Sequence, residues 1–193
     1  GINAFTLGMR AANPQATVRV VWLNTWFDPP REREAALSLV NAGADVLTNH
    51  SGSPAVPQLA EEKGVRLLAY QSDMRAFAPK AQLAAVTADW SAYYVQQAKA
   101  VLAGTWQSGA TWGGLQAGMV RLSAIDPALP PAVAKDLAQR QQALMGGKLQ
   151  PFAGPLKDQA GQLRQPAGGA LSDAAIASMD WFVEGVVGSV PGR

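Results

Sequence analysis

The most informative stretch of the sequence is Val18-Arg19-Val20-Val21-Trp22-Leu23-Asn24-Thr25-Trp26-Phe27-Asp28-Pro29. Its first half is a nearly continuous apolar run, which predicts a buried parallel strand over residues 18–23. The strand stops at Asn24, and Trp26 and Phe27 follow before Pro29 opens a helix. Ligands of open α/β sheets bind where strand carboxyl ends meet the following loops. An aromatic side chain at this junction is therefore well placed to cover a flat ligand.

Strands and helices alternate on the carboxyl side of this stretch. The pattern predicts a helix from Pro29 or Pro30 to Val40, a strand over 44–47, a helix over 53–63 that ends at Gly64, and a strand over 65–70. This β-α-β-α-β order with short loops predicts a parallel sheet with right-handed crossovers. Further strands are predicted over 83–87 and 119–125, and helices over 90–102 and 131–145.

The last part of the chain has a different pattern. Residues 152–159 and 163–166 flank the Ala160-Gly161 pair, which predicts a hairpin. Ser172 precedes Asp173 and a short apolar run, as an N-cap would. We therefore predict two parts: an α/β domain over residues 1–150 and a tail with a hairpin and a short helix over 151–193.

Composition excludes several classes of function. The chain has 193 residues, 48% of them hydrophobic and 16% charged, with a formal net charge of +2. This near-neutral balance, without a cluster of basic residues, argues against nucleic-acid binding. The absence of cysteine excludes disulfides and thiolate chemistry, and a single histidine argues against a metal site. No cofactor motif is present, neither a P-loop nor a G-x-G-x-x-G.

Three predicted strand ends carry polar groups: Asn24 to Asp28, Asn49 to Ser53, and Gln71 to Asp73. If their strands are parallel neighbours, these groups converge at one edge of the sheet. An aromatic face with neutral donors and acceptors is the composition expected for a small, planar, polar ligand.

Each candidate residue has a structural alternative. Trp26 either stacks on a ligand ring or packs beneath the next helix, where Phe27 could also lie. His50 is a ligand contact or a structural residue, and Ser51 is a polar contact or part of a helix cap. Gln71 is favoured as a contact because an amide both donates and accepts hydrogen bonds. Asp73 is favoured as a turn residue.

Catalysis has weaker support. The residue types of a Ser-His-Asp catalytic triad are present in Ser51, His50 and Asp73, but the G-x-S-x-G motif of a nucleophile elbow is absent. The glutamates of the first two predicted helices are interpreted as solvated, namely Glu32, Glu34, Glu61 and Glu62.

Several words of the sequence resemble the BMP family, also called Med or PnrA-like, of substrate-binding proteins of ABC transporters. They are INAFTLG (2–8), VWLNTWFDP (21–29), REREAA (31–36), GADVL (43–47), AEEKGV (60–65), SDM (72–74) and MDWFVEGV (179–186). The resemblance implies a type I periplasmic-binding-protein fold, in which two α/β lobes close on a ligand in the inter-lobe cleft by hinge motion. It further implies that this chain is the parallel-sheet, Rossmann-like C-terminal lobe with its crossover tail, and that most of the N-terminal lobe is missing.

The resemblance also implies a ligand and partners. Family members bind purine nucleosides or free purine bases and deliver them to the permease subunits of a bacterial ABC importer at the cell envelope or in the periplasm. Trp26 matches the aromatic residue that stacks on the purine, and Gln71 stands where nucleoside-binding members have an Asp that grips the ribose. A free base such as adenine is therefore expected, with Asn24, His50, Ser51 and Asp73 as further polar contacts. Trp90 is either a further wall of the site or a core anchor of its helix.

Three functions follow as hypotheses. The first is a solute-binding component without catalytic activity. The second is a nucleoside-hydrolysing enzyme, and the third is the effector-sensing domain of a transcription regulator. We also expect a single lobe to bind purines weakly or to recruit a second chain that covers its open face.

Overall fold

The computed structural model describes residues 1–191 as an α/β protein with six helices and eight strands among them. In chain order these are α1 Ile2–Ala12, β1 Val18–Arg19, α2 Pro29–Asn41, β2 Val46–Leu47, α3 Ala55–Lys63, β3 Arg66–Gln71, β4 Gln82–Ala88, α4 Ser91–Leu102, β5 Val120–Ser123, α5 Pro131–Met145, β6 Leu156–Lys157, β7 Leu163–Gln165, α6 Asp173–Ala177 and β8 Val186–Val187. The chain forms two compact units.

The sheet unit, Leu23–Gly146, contains a four-stranded sheet in the order β2-β3-β4-β5. The first three strands are parallel, as the alternation of strands and helices predicts, whereas β5 runs antiparallel to β4. α2 and α3 pack on each other, and α3 packs on β3. The buried core between them is made of small and aliphatic side chains, including Ala36, Leu47, Leu59, Leu67 and Ala85.

The helix boundaries follow from local chemistry. The Asp28 carboxylate accepts a hydrogen bond from the Arg31 amide (3.1 Å), which caps α2 at its predicted start. Gly64 ends α3 with a φ of 68°, a left-handed conformation that favours glycine. α5 has the predicted bounds. α4 and α5 contribute no buried residue.

The tail unit comprises Gly1–Trp22 and the chain from Gly147 onwards. Its hairpin joins β6 and β7 in antiparallel pairing, and the Ser172 hydroxyl caps α6 by accepting from the Ala175 amide (3.2 Å). Both features were predicted. Asn3 of α1 donates to the Trp181 carbonyl (2.8 Å) and accepts from the Val183 amide (3.0 Å).

This division differs from the predicted one, which placed the first residues with the sheet. The reason is the pairing of β1. Residues 18–23 were predicted as a strand of the main parallel sheet, and this prediction is wrong. Only Val18–Arg19 is a strand, and it pairs in parallel with β8 in a separate two-stranded sheet. A long-range partner, invisible in the local pattern, therefore places the first 22 residues in the tail unit.

Candidate functional site

The strand ends after β2 and β3 lie side by side because these strands are parallel neighbours. Residues 49–53 follow β2, and Gln71 is the last residue of β3. The imidazole of His50 stacks on the ring of Tyr70, with centroids 4.0 Å apart and planes inclined by 17°. This contact brings two of the three predicted clusters together.

The third cluster, Asn24 to Asp28, adjoins residues 49–53 although no strand of the main sheet precedes it in the chain. The Gly52 amide donates to the Trp26 carbonyl at 2.8 Å. A Cβ at position 52 would lie 3.5 Å from that carbonyl oxygen and 3.9 Å from Cδ2 of Phe27. The two loops thus adjoin closely, and their backbone hydrogen bond supplies the link that we had expected from strand pairing.

The aromatic side chains of this loop face solvent. Trp26 is 77% exposed and Phe27 is 64% exposed. Neither ring is buried beneath α2, which was the structural alternative for this pair. A large exposed indole beside polar groups is a surface available to a flat ligand.

Two of the predicted site residues have a left-handed backbone. Asn24 has a φ of 53° and Gln71 has a φ of 68°. Asn adopts this region more readily than Gln, whose longer side chain provides no local compensation. Unusual backbone conformations of this kind concentrate at functional sites. Gln71 is the last residue of β3, and Asn24 lies in the loop between β1 and α2.

Asp73 has a structural role, as its local pattern suggested. Its Oδ1 accepts hydrogen bonds from the Gln82 side chain (2.7 Å) and from the Arg75 amide (3.0 Å). Burial would raise the pKa of this carboxyl, but the bonds from Gln82 and Arg75 hold it below its ordinary value. The buried Gln82 also accepts from the Met74 amide (2.8 Å) and so fixes the turn after β3.

Trp90 is placed differently from the other candidates. It occupies the N-cap position of α4 without a side-chain capping hydrogen bond. Its ring contacts Tyr93 edge to face, with centroids 5.8 Å apart, and Tyr94 at 6.3 Å. Its side chain is 41% exposed. Its ring contacts among residues 1–191 are with its own helix, and the structure does not bring it against Trp26 or His50.

The sequence interpretation missed Glu32. This residue was expected on a solvated helix face, and that expectation is wrong: Glu32 is fully buried in the first turns of α2. Its Oε2 accepts from the Ser53 hydroxyl (2.6 Å) and its Oε1 from the Asp28 amide (3.1 Å). The spacing of four residues from the cap, rather than the three of a capping box, left no sequence signal.

The residues of the possible Ser-His-Asp triad have other partners in the structure. Burial lowers the pKa of His50 below its ordinary value, so the imidazole is neutral at pH 7 and can both donate and accept. The Ser51 hydroxyl accepts from the Asn49 side chain (3.2 Å), and Asp73 is held by Gln82. These partners do not form a Ser-His-Asp relay. Within residues 1–191, no cluster of three or more His, Asp and Glu side chains could hold a metal ion.

A separate recess of the sheet unit lies on α4 and the following loop. Its volume is about 140 Å³, and its lining includes Tyr93, Gln97, Trp106 and Thr111. None of the predicted site residues lines it. The strand-end cluster is therefore distinct from this recess.

The chain is similar to known proteins. Residues 1–149 match the family model described as ABC transporter substrate-binding protein PnrA-like. The chain is 39% identical over 191 residues to a purine-binding protein of Brucella abortus, covering 99% of this chain and 54% of that protein. It is 33% identical over 190 residues to a putative ABC transporter glucose-binding protein of Haloferax volcanii, covering 98% and 46%. The chain thus spans about half the length of the curated relatives it matches.

Solved structures agree on the fold. An ABC transporter solute-binding protein from Conexibacter woesei superposes with a TM-score of 0.58 at 21% identity, over 77% of this chain and 52% of that one. A transcriptional activator of the comK gene from Bacillus halodurans gives 0.58 at 19% identity, over 67% and 47%. Identities this low show the shared α/β fold alone. None of the helices among residues 1–191 is long and apolar enough to cross a membrane.

Proposed function

Since the chain belongs to the family of PnrA-like substrate-binding proteins of ABC transporters, we propose that its strand-end surface binds a purine-type ligand. A free base such as adenine is favoured over a nucleoside. The ligand would be passed to the permease subunits of an importer at the bacterial cell envelope or in the periplasm. The protein would act by binding, without turnover and without a cofactor.

The observation that carries this proposal is the exposed indole of Trp26 beside uncharged polar groups. The Gly52 amide fixes the backbone of that residue, and the His50–Tyr70 stack lies on the next strand end. A purine presents a flat π-face and an edge of neutral donors and acceptors. Trp26 is assigned to the face, whereas Asn24, His50, Ser51 and Gln71 are assigned to the edge.

Two assigned residues have different roles in this proposal. Asp73 acts through the turn that it holds with Gln82, because its carboxylate is already engaged there. Trp90 would contribute an outer wall rather than the stacking surface, since its ring packs on Tyr93 and Tyr94. Neither residue is expected to decide which purine binds.

The preference for a free base depends on Gln71. A carboxylate at this position would suit a ribose diol, whereas an amide can read the amino and ring-nitrogen groups of adenine. The Brucella relative is described as purine-binding, which supports a purine, but the Haloferax relative is described as glucose-binding. An aromatic face also suits a sugar, so glucose is the main competing ligand.

Isothermal titration calorimetry with adenine, adenosine and glucose tests the proposal on the wild type and on Gln71→Asp. We expect adenine to bind at least about tenfold more tightly than adenosine, a difference of about 1.4 kcal/mol. Gln71→Asp should reverse this order, because a carboxylate at position 71 can accept hydrogen bonds from the ribose diol of adenosine. Glucose binding without purine binding would overturn the proposal, and release of a free base from adenosine would identify an enzyme instead.

A further inference from the structure

Glu32 is the buried carboxylate nearest in sequence to the proposed stacking residue, and its environment is unusual for an acid. Its side chain has no solvent exposure. Burying an ionised carboxylate is costly unless hydrogen bonds replace its water. A residue kept in this state needs a compensating set of donors around it.

Glu32 has that set of donors. Burial would raise the pKa of the carboxyl, but hydrogen bonds from the Ser53 hydroxyl (2.6 Å) and the Asp28 amide (3.1 Å) hold it below its ordinary value. Glu32 is therefore ionised at neutral pH. These two donors belong to two different segments of the chain.

The two segments are the loops that carry the proposed contacts. Asp28 closes the loop of Trp26 and Phe27, and Ser53 closes the loop of His50 and Ser51. The Ser53 hydroxyl is also anchored, since it accepts from the Ala55 amide (3.2 Å) while it donates to Glu32. One carboxylate thus joins both loops at their base.

The hydrogen bond from the Gly52 amide to the Trp26 carbonyl closes the same junction nearer to the surface. That bond is a single contact between two exposed loops, and such bonds open easily when nothing holds their flanks. Glu32 supplies the buried support beneath it.

We propose that Glu32 is a positioning residue for ligand binding: its buried carboxylate ties the Trp26 loop to the Ser51 loop and thereby presents the indole and the polar groups as one surface. The inference rests on the proposed function for its effect on affinity. Its effect on the loops does not depend on which ligand binds.

Hydrogen exchange in the wild type and in Glu32→Gln tests the proposal. Glutamine keeps the shape but replaces an acceptor oxygen by a donor, so at least one of the surrounding donors loses its partner. The Gly52 amide should exchange at least about tenfold faster, since hydrogen bonds to charged groups contribute more than neutral ones. The Leu67 amide, which donates to Ala81 within the core (2.8 Å), should be unchanged. Glu34→Gln, on an exposed position of the same helix, is the matched control.

Affinity gives the second measurement. Adenine binding should weaken at least about tenfold in Glu32→Gln, less in Ser53→Ala, which removes one donor, and not in Glu34→Gln. Equal acceleration at Gly52 and Leu67 would show a general stabilising role and overturn the proposal. Unchanged exchange at Gly52 in Glu32→Gln would also overturn it. If the wild type binds adenine, an equal affinity in Glu32→Gln would overturn it as well. If the wild type binds no purine, the proposed function fails, and the exchange rates still decide whether Glu32 holds the loops.

Discussion

Replacing Trp26 by alanine removes the surface on which the proposed site would stack a ligand. The indole is 77% exposed, so it contributes little to the packing of the folded protein. Substitutions at such surface positions change the free energy of unfolding by no more than about 0.5 kcal/mol. A ligand that stacks on the ring would instead lose its main apolar contact. Trp26→Ala should therefore separate binding from stability.

The magnitude follows from the area and geometry of stacking. Covering one face of the indole removes on the order of 50 Å² of apolar surface from water, worth about 1.2 kcal/mol. An offset-stacked geometry adds about 0.5–1.5 kcal/mol. Adenine should thus bind roughly 20- to 100-fold more weakly to Trp26→Ala. Trp26→Phe keeps an aromatic face and should recover most of this loss.

Calorimetric titration with adenine and urea denaturation of the same samples measure the two effects. Trp112→Ala is the matched control, because Trp112 is 69% exposed in the same unit but lies outside the proposed site. Its affinity should equal that of the wild type. An affinity change below about threefold in Trp26→Ala, or an equal loss in Trp112→Ala, would refute the stacking argument.

Two further predictions concern stability. Burial lowers the pKa of His50 from its ordinary value of about 6.5, so on acidification the unfolded state takes up this proton before the folded state does. The free energy of unfolding should therefore fall more from about pH 7.5 to about pH 5 in the wild type than in His50→Gln, as measured by urea denaturation; parallel pH profiles would contradict this. Gly8→Ala should stabilise α1 by about 0.5–1 kcal/mol, whereas Gly64→Ala, at a φ of 68°, should destabilise α3 by about 1–2 kcal/mol. Neither added Cβ meets an atom within 4 Å, so shifts of the same sign in the two variants would show that backbone conformation is not the cause.

The sequence pattern predicted the parallel strands of the sheet because the signals for these strands and their helices lie within a few residues of each element. Pro29 and Asp28 define the start of α2, Gly64 defines the end of α3, and short apolar runs define β3 and β4. These features depend on backbone conformation and on burial within a few residues. The hairpin and the Ser172 cap were predicted for the same reason.

The pattern was wrong where a distant segment decides the outcome. An apolar run over 18–23 indicates a strand but does not indicate which strand pairs with it. The pairing strand is β8, more than 160 residues further on. Glu32 was interpreted as solvated because it lies on a predicted helix away from the strand ends, yet it accepts hydrogen bonds from Ser53 and Asp28. The two loops of the proposed site are likewise joined by contacts that no spacing predicts, the bond between Gly52 and Trp26 and the bonds to Glu32.

The sequence by itself thus determined the α/β class, the elements of the sheet and the residue types at the strand ends, because propensity, capping and burial patterns act over short distances. Only the tertiary structure decided which strand pairs with β1, which glutamate is buried, and how the loops of Trp26 and Ser51 come to adjoin. Those outcomes depend on contacts between residues far apart in the chain, and the free energy of such contacts exists only once the chain has folded.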